Sequence, residues 1–287
     1  MSAVFKREFS SYMRNVTGPL FIALLLMFEG ITCMIYNLVL SSPHFEYSLN
    51  YLQLVLIVAI PVLAMRSLAE DKRGRIDQLL YSLPMSLWRV VVGKYLAMAA
   101  ILGIACGVMA VYPVILGFYG LTDFTTAYCA LFAFFMLAAA LLALCMFLSS
   151  LTESQIIAAV LSVGGVLFIY LVDMVAMAIP TSATISFIAL AVLVAVVLLL
   201  VWALTKNVRI TALIGAVVYI PMIVVFVINS SLYQGLFRSF TASASLFSRY
   251  SNFGYGVFDI GTVVYYLSFI VFFLYLTYQS LEKKRWS

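Results

Sequence analysis

Eight apolar runs divide this chain, at about 18–40, 50–68, 90–118, 126–150, 155–179, 184–205, 210–229 and 262–281. A helix needs about twenty apolar residues to cross a bilayer core, and most of these runs meet that length. Hydrophobic residues make up 66 % of the chain and charged residues 9 %, against about a quarter charged in soluble domains. Such a chain cannot hide its apolar surface from water in one core, so its solvent is lipid. With no water to satisfy an open backbone, the spans must be helical. Pro61, Pro113, Pro180 and Pro221 fall within or at the ends of runs, which packed membrane helices tolerate. The expectation is an all-α polytopic membrane protein of about eight transmembrane helices, six plus an extra hairpin at about 184–229. It forms a single transmembrane domain over 1–287.

Charge sets the orientation. If the N-terminus is cytoplasmic, fourteen of the sixteen Lys and Arg residues fall on that side, and only Arg238 and Arg249 face out. This bias predicts an even number of spans with both termini cytoplasmic. A six-span alternative keeps the parity but strands Lys206 and Arg209 outside or in the membrane. The chain opens on a charged amphipathic segment rather than a short apolar leader, so the spans themselves are expected to direct insertion.

The polar stretch from Arg66 to Lys94 interrupts two apolar runs. It carries nine charges: Arg66, Glu70, Asp71, Lys72, Arg73, Arg75, Asp77, Arg89 and Lys94. Ile76, Leu79, Leu80 and Leu83 recur at i, i+3, i+4 and i+7, one stripe of a helix, which Pro84 ends. An amphipathic helix between two spans either docks on another protein or lies on lipid. Residues 2–17 form a second one, with Phe5, Phe9, Tyr12, Met13 and Val16 on one face and Lys6, Arg7, Ser10 and Arg14 on the other. The outer segment 230–261 keeps a helical phase at Leu232, Leu236, Phe237 and Phe240. Tyr250, Phe253, Tyr255 and Phe258 follow. It reads as interfacial or re-entrant structure within an aromatic belt.

Enzyme signatures are missing. No H-E-x-x-H or G-x-S-x-G occurs, and the single histidine, His44, sits in a short outer loop. Gly93-Lys94 resembles the end of a phosphate-binding loop. However, Trp88 stands where its first Gly belongs and Tyr95 replaces its Ser or Thr. Cys33, Cys106, Cys129 and Cys145 all lie in apolar runs without a C-x-x-C pair, so neither a disulfide framework nor a zinc site is expected. Asp173 and Asp259 have no spacing that would pair them as an aspartyl protease dyad. Glu29 and Asp173 fall inside runs, and a carboxylate at that depth faces the bundle interior or a cavity. Both are candidates for an intramembrane polar path. Packing residues held by hydrogen bonds are the alternative. Gly164-Gly165 allows close helix approach.

The run EDKRGRIDQLLYSLPMSLWRVVVGKYLA resembles the segment between the second and third spans of ABC-2-type transporter permeases. That segment reads as an acid, a Gly, a helix, a Pro, a polar step and a Gly-Lys. Here these are Glu70, Gly74, Ile76–Leu83, Pro84, Ser86, Gly93 and Lys94. SSLTESQ, Ser149 to Gln155, is similar to the family's fourth-to-fifth connection, and residues 1–17 to its elbow helix. VVYYLSFIVFFLYLTYQSLEKKRW is similar to the last span of its gliding-motility and nitrous-oxide-reductase-maturation branch. The family usually has six spans, so the segment at about 184–229 departs from it.

The resemblance implies a non-catalytic permease subunit in a prokaryotic plasma or inner membrane. A separate ABC ATP-binding subunit, carrying ATP and Mg, would drive it. A second permease subunit, identical or not, would complete the path. The cytoplasmic loop 66–89 would hold a coupling helix, with Glu70, Asp71, Arg73, Arg75, Asp77, Leu79, Leu80 and Leu83 meeting the ATPase. Thr152 and Glu153 would form a smaller contact. Export or lateral extraction is implied over import. No cofactor in this chain and no nucleic acid partner are implied, and an auxiliary outer-face protein is left open. The rival readings are an ion-gradient-driven transporter or channel, and a structural membrane anchor of a larger complex.

Overall fold

A computed structural model describes the chain apart from residues 1, 75–85, 121–122, 179, 206–207, 255 and 287. Inside helices, the side chains at 2, 72–73, 173, 176–177, 196–197, 199–205, 208–214, 244, 252 and 284–286 also lie outside the described set. Arg75, Asp77, Leu79, Leu80 and Leu83 therefore fall outside the described residues, as do the side chains of Arg73 and Asp173.

The protein is helical, with no strand among the described residues. In order the helices are α1 (Ser2–Arg14), α2 (Thr17–Cys33), α3 (Phe45–Arg73), α4 (Leu87–Met109), α5 (Val111–Phe118), α6 (Phe124–Ser150) and α7 (Gln155–Ala178). Next come α8 (Ala183–Thr205), α9 (Val208–Ile228), α10 (Leu236–Ala244), α11 (Leu246–Gly254) and α12 (Ile260–Trp286). Six helical stretches are long and apolar enough to cross a membrane: Thr17–Val39, Phe45–Asp71, Leu87–Phe118, Phe124–Ser150, Gln155–Val172 and Ile260–Lys283. A seventh crossing is possible by the same criteria if a bent pair, Gly215–Ile228 and Ser230–Ser243 at 117°, counts as one span. The chain divides into two compact units, 1–168 with 249–287, and 169–248.

The first unit is built around α6. Protein covers 72 % of the apolar stretch of α6 and 67 % of that of α3, but only 28 % for α2 and for α12. Composition explains the ranking. Ala133, Ala138, Ala139, Ala140 and Ala143 are all buried on α6, and small side chains let neighbouring backbones approach closely. Asp123 starts α6 by accepting hydrogen bonds from the Thr125 N–H at 3.1 Å and the Thr126 hydroxyl at 2.7 Å, an N-cap that satisfies otherwise open donors. Of the glycine pair on α7, Gly165 meets a neighbour: a Cβ there would lie 2.8 Å from Leu148 Cδ1. A Cβ on Gly164 would meet nothing within 4 Å. The lipid-facing surface is apolar, as at Phe118, Ile156, Val160 and Phe168, which is how a membrane helix must present itself.

Local breaks have identifiable causes. Pro113 in the first turn of α5 cannot donate to the Met109 carbonyl, so α4 and α5 separate at Ala110. A π-helix from Met34 to Val39 closes α2 and turns Asn37 inward, where its amide donates to the Ser42 carbonyl at 3.0 Å. Gly18 lets α1 fold onto α2, because a Cβ there would meet the Tyr12 carbonyl oxygen at 2.6 Å.

Helix α1 and the last turns of α12 lie at one end of this unit. Glu8 of α1 and Trp88 of α4 meet the same end of the bundle as Tyr278 and Ser280 of α12. In the second unit α8 and α9 pack antiparallel, with the Tyr219 hydroxyl donating to the Ala191 carbonyl at 2.7 Å. Phe187, Phe226 and Tyr233 cluster with centroids 4.4–5.7 Å apart. The outer segment read as interfacial structure is a 3-10 turn, Ser230–Tyr233, followed by the short helices α10 and α11. Gly235, at φ +68°, turns the chain into α10.

Candidate functional site

A lysine inside an apolar helix must find anions or leave the membrane. Lys94 lies two turns into α4, is 2 % exposed, and finds two. Its Nζ sits 2.7 Å from Asp71 Oδ2 and 3.1 Å from Glu8 Oε1, and donates to the Ser67 carbonyl at 2.9 Å. Three elements are thereby pinned to one ammonium group: α1 through Glu8, the end of α3 through Ser67 and Asp71, and the start of α4. The Arg7 guanidinium lies 2.7 Å from Glu8 Oε1. Arg66 grips Glu70 with two hydrogen bonds, at 2.9 and 3.0 Å, and reaches Thr17 at 3.3 Å. Among the described residues, three cations and three carboxylates thus balance within one cluster. A cleft of about 310 Å³ opens beside it, bordered by α1 and the ends of α3 and α4.

Helix α1 reaches the cluster through its Val4, Glu8 and Tyr12 face, the buried one. Of the apolar face read from the sequence, Tyr12 is buried, Phe5 and Phe9 stack at 5.9 Å, and Met13 and Val16 are exposed. The Lys94 ammonium group holds Glu8 inward. Burial pushes the Tyr12 phenol above its ordinary range. The hydrogen bond from Arg7 to Glu8 holds the Arg7 guanidinium above its usual value.

Serine side chains extend this joint. Ser149 at the end of α6 accepts from the Ala69 N–H and donates to the Met65 carbonyl, both at 3.3 Å. The Ser280 hydroxyl of α12 donates to the Ser150 carbonyl at 3.4 Å. The turn that follows, 151–154, is held by the Ser154 N–H donating to Thr152 Oγ1 at 3.2 Å, and Glu153 there is exposed. The ends of α1, α3, α4, α6 and α12 are thus tied to one another by polar bonds.

Of the residues read from sequence, Glu70 and Asp71 are placed here, but on the last turns of α3, which runs to Arg73. They are continuous with the span rather than part of a separate helix beginning near residue 70. Asp71 turns to Lys94 of its own chain, and Glu70 keeps an exposed side. Glu8, Tyr12 and Ser67 were missed. A signal existed for them: VVVGKYLAM leaves Lys94 no polar neighbour in sequence, so its anions had to come from other elements.

Glu29 is fully buried near the other end of the first unit, and its Oε1 accepts from the Ser48 hydroxyl at 2.8 Å. Its Oε2 has no hydrogen-bond partner among the described residues. Asp173 belongs to the second unit. His44 lies 2.7 Å from Glu46. Among the described residues no three His, Cys, Asp or Glu side chains group as a metal site would require. Neither the family models nor the curated proteins compared with this chain give a match.

Proposed function

We propose that this chain is the membrane-spanning permease subunit of an ABC-2-type transporter, driven by ATP hydrolysis in a separate subunit. One observation carries the reading: the Lys94 joint fastens both flanks of the segment 74–86 to the spans. A push on that segment would not be lost in a loose loop. It would pass through Asp71 and Lys94 into α3 and α4, through Glu8 into α1, and through Ser149 and Ser150 into α6 and α12.

In this proposal the stripe Ile76, Leu79, Leu80 and Leu83 seats in the ATP-binding subunit. Arg73, Arg75, Asp77 and Glu70 make charge-assisted contacts at the rim of its cleft. Thr152 and Glu153 make the smaller contact. Asp71 then joins contact to bundle. Each leucine contributes about 1.5–3 kcal/mol if fully covered. The end carrying α1 and the last turns of α12 is cytoplasmic, α1 is the elbow helix, and α8 with α9 completes eight crossings. The membrane is a prokaryotic plasma or inner membrane, and a second permease subunit faces this one. The work performed is export or lateral extraction.

Purification of the tagged chain with the ATPase encoded beside it tests the proposal. The expected result is a stable complex whose ATPase activity survives collapse of the ion gradients in proteoliposomes. Leu80→Asp should insert normally yet lose the ATPase. Retention of the ATPase by that variant would overturn the assignment. A second reading, an ion-gradient-driven transporter, is favoured by the unfilled Oε2 of buried Glu29. It predicts activity without ATP that is abolished in Glu29→Gln.

A further inference from the structure

At the end that carries α1, a cleft of about 480 Å³ lies between the first turn of α4 and the last turns of α12. Its lining includes Trp88, Tyr275, Tyr278 and Glu282. Tyr275, Tyr278 and Glu282 stand at i, i+3 and i+7, one face of α12. The Trp88 and Tyr278 rings meet edge to face, with centroids 5.9 Å apart and planes at 78°. Tyr275 continues the wall, 6.5 Å from Tyr278. Gln279 fixes it by donating to its hydroxyl at 2.8 Å. Trp88 and Tyr275 keep 40 % and 50 % of their surface open.

We infer that this cleft is a binding site for the ammonium headgroup of a zwitterionic phospholipid. Aromatic faces attract cations through their quadrupole, Trp most strongly. The edge-to-face pair of Trp88 and Tyr278, with the Glu282 carboxylate beside it, makes a pocket that favours positive charge. Depth selects the source of the cation. Trp88 is the second residue of the span Leu87–Phe118, and Glu282 the second-last of Ile260–Lys283. The cleft therefore sits at the height of headgroups. An aromatic belt alone would need no acid, and Glu282 is what separates a site from a belt. The inference needs only that the chain lies in a membrane. It stands apart from the ATP-driven reading, and either can fail without the other.

The test is native mass spectrometry of the full chain in detergent. Equimolar phosphatidylethanolamine and phosphatidylglycerol with the same acyl chains are added. Phosphatidylethanolamine should be retained in excess, and tetramethylammonium should displace it. Glu282→Gln should lower its occupancy about two- to fivefold and should not lower that of phosphatidylglycerol. Trp88→Leu should do the same, and Trp88→Phe should restore most of the binding. Equal retention of the two lipids, or an unchanged preference in Glu282→Gln, would overturn the site and leave an ordinary aromatic belt. If Trp88→Leu does not fold, Glu282→Gln decides alone, because it replaces a half-exposed side chain with one of the same shape.

Discussion

At the scale of single residues, the balance of charge around Lys94 matters more than any one pair. Lys94→Met leaves Glu8 and Asp71 without their shared cation. Removing one member of a buried ion network typically costs about 3–5 kcal/mol, so the variant should show a clearly lowered thermal midpoint in detergent. Lys94→Met combined with Glu8→Gln and Asp71→Asn removes the charges together and should recover most of that loss, because no buried charge remains unpaired. A triple variant as unstable as the single one would show that the network is not what holds these helices. Asp123 supplies a pH dependence. The hydrogen bonds from Thr126 and Thr125 hold its carboxyl below its ordinary value. Its contribution is therefore complete above about pH 3.9, the ordinary carboxylate value, and is lost as pH falls through the lower native one. The midpoint difference between wild type and Asp123→Ala should shrink in that acid range and stay constant above it. This residue scale was the least legible in the sequence. Lys94 was visible as a cation in an apolar run. Its partners come from positions 8, 67 and 71, which only the packing of α1 and α3 on α4 brings together.

Among the elements, the helices were far more legible. Runs read at about 18–40, 126–150 and 155–179 correspond to Thr17–Val39, Phe124–Ser150 and Gln155–Ala178, because a lipid-facing surface writes hydrophobicity into every turn. Helix α3 extends past its apolar run at both ends, from Phe45 to Arg73. Its first turn is polar yet bonded within the protein: Ser48 to Glu29, and Glu46 to His44. Hydropathy cannot see such bonds. The inward place of Glu8 on α1 was hidden for the same reason, since only packing brings it to Lys94. The close passage of α1 to α2 makes a sharp prediction. Gly18→Ala puts a Cβ against the Tyr12 carbonyl, and overpacking of this kind costs about 1–3 kcal/mol. The variant should be destabilised, with α1 more readily cut by protease. An unaltered midpoint would mean that the turn is looser than its geometry.

For the whole molecule, topology and drive are separate questions. In the first unit α1, the last turns of α12 and the 151–154 turn share one end, while Tyr119 and Asp123 lie at the other. A membrane-impermeant thiol reagent should label Glu153→Cys from the same side as a cysteine at Ser2, and Asp123→Cys from the opposite side. Labelling of all three from one side would contradict the bundle. Drive concerns whether the polar joint carries work from a partner into the spans. Spin labels at positions 44 and 123, with the four native cysteines replaced by alanine, report the end remote from that joint. The decisive measurement is their distance distribution in the complex with the ATP-binding subunit, with and without ATP. The account predicts an ATP-dependent shift in wild type that vanishes in the charge-free Glu8→Gln, Asp71→Asn, Lys94→Met variant while the partner stays bound. An identical shift in that variant, or no shift in wild type with the partner bound, would contradict it.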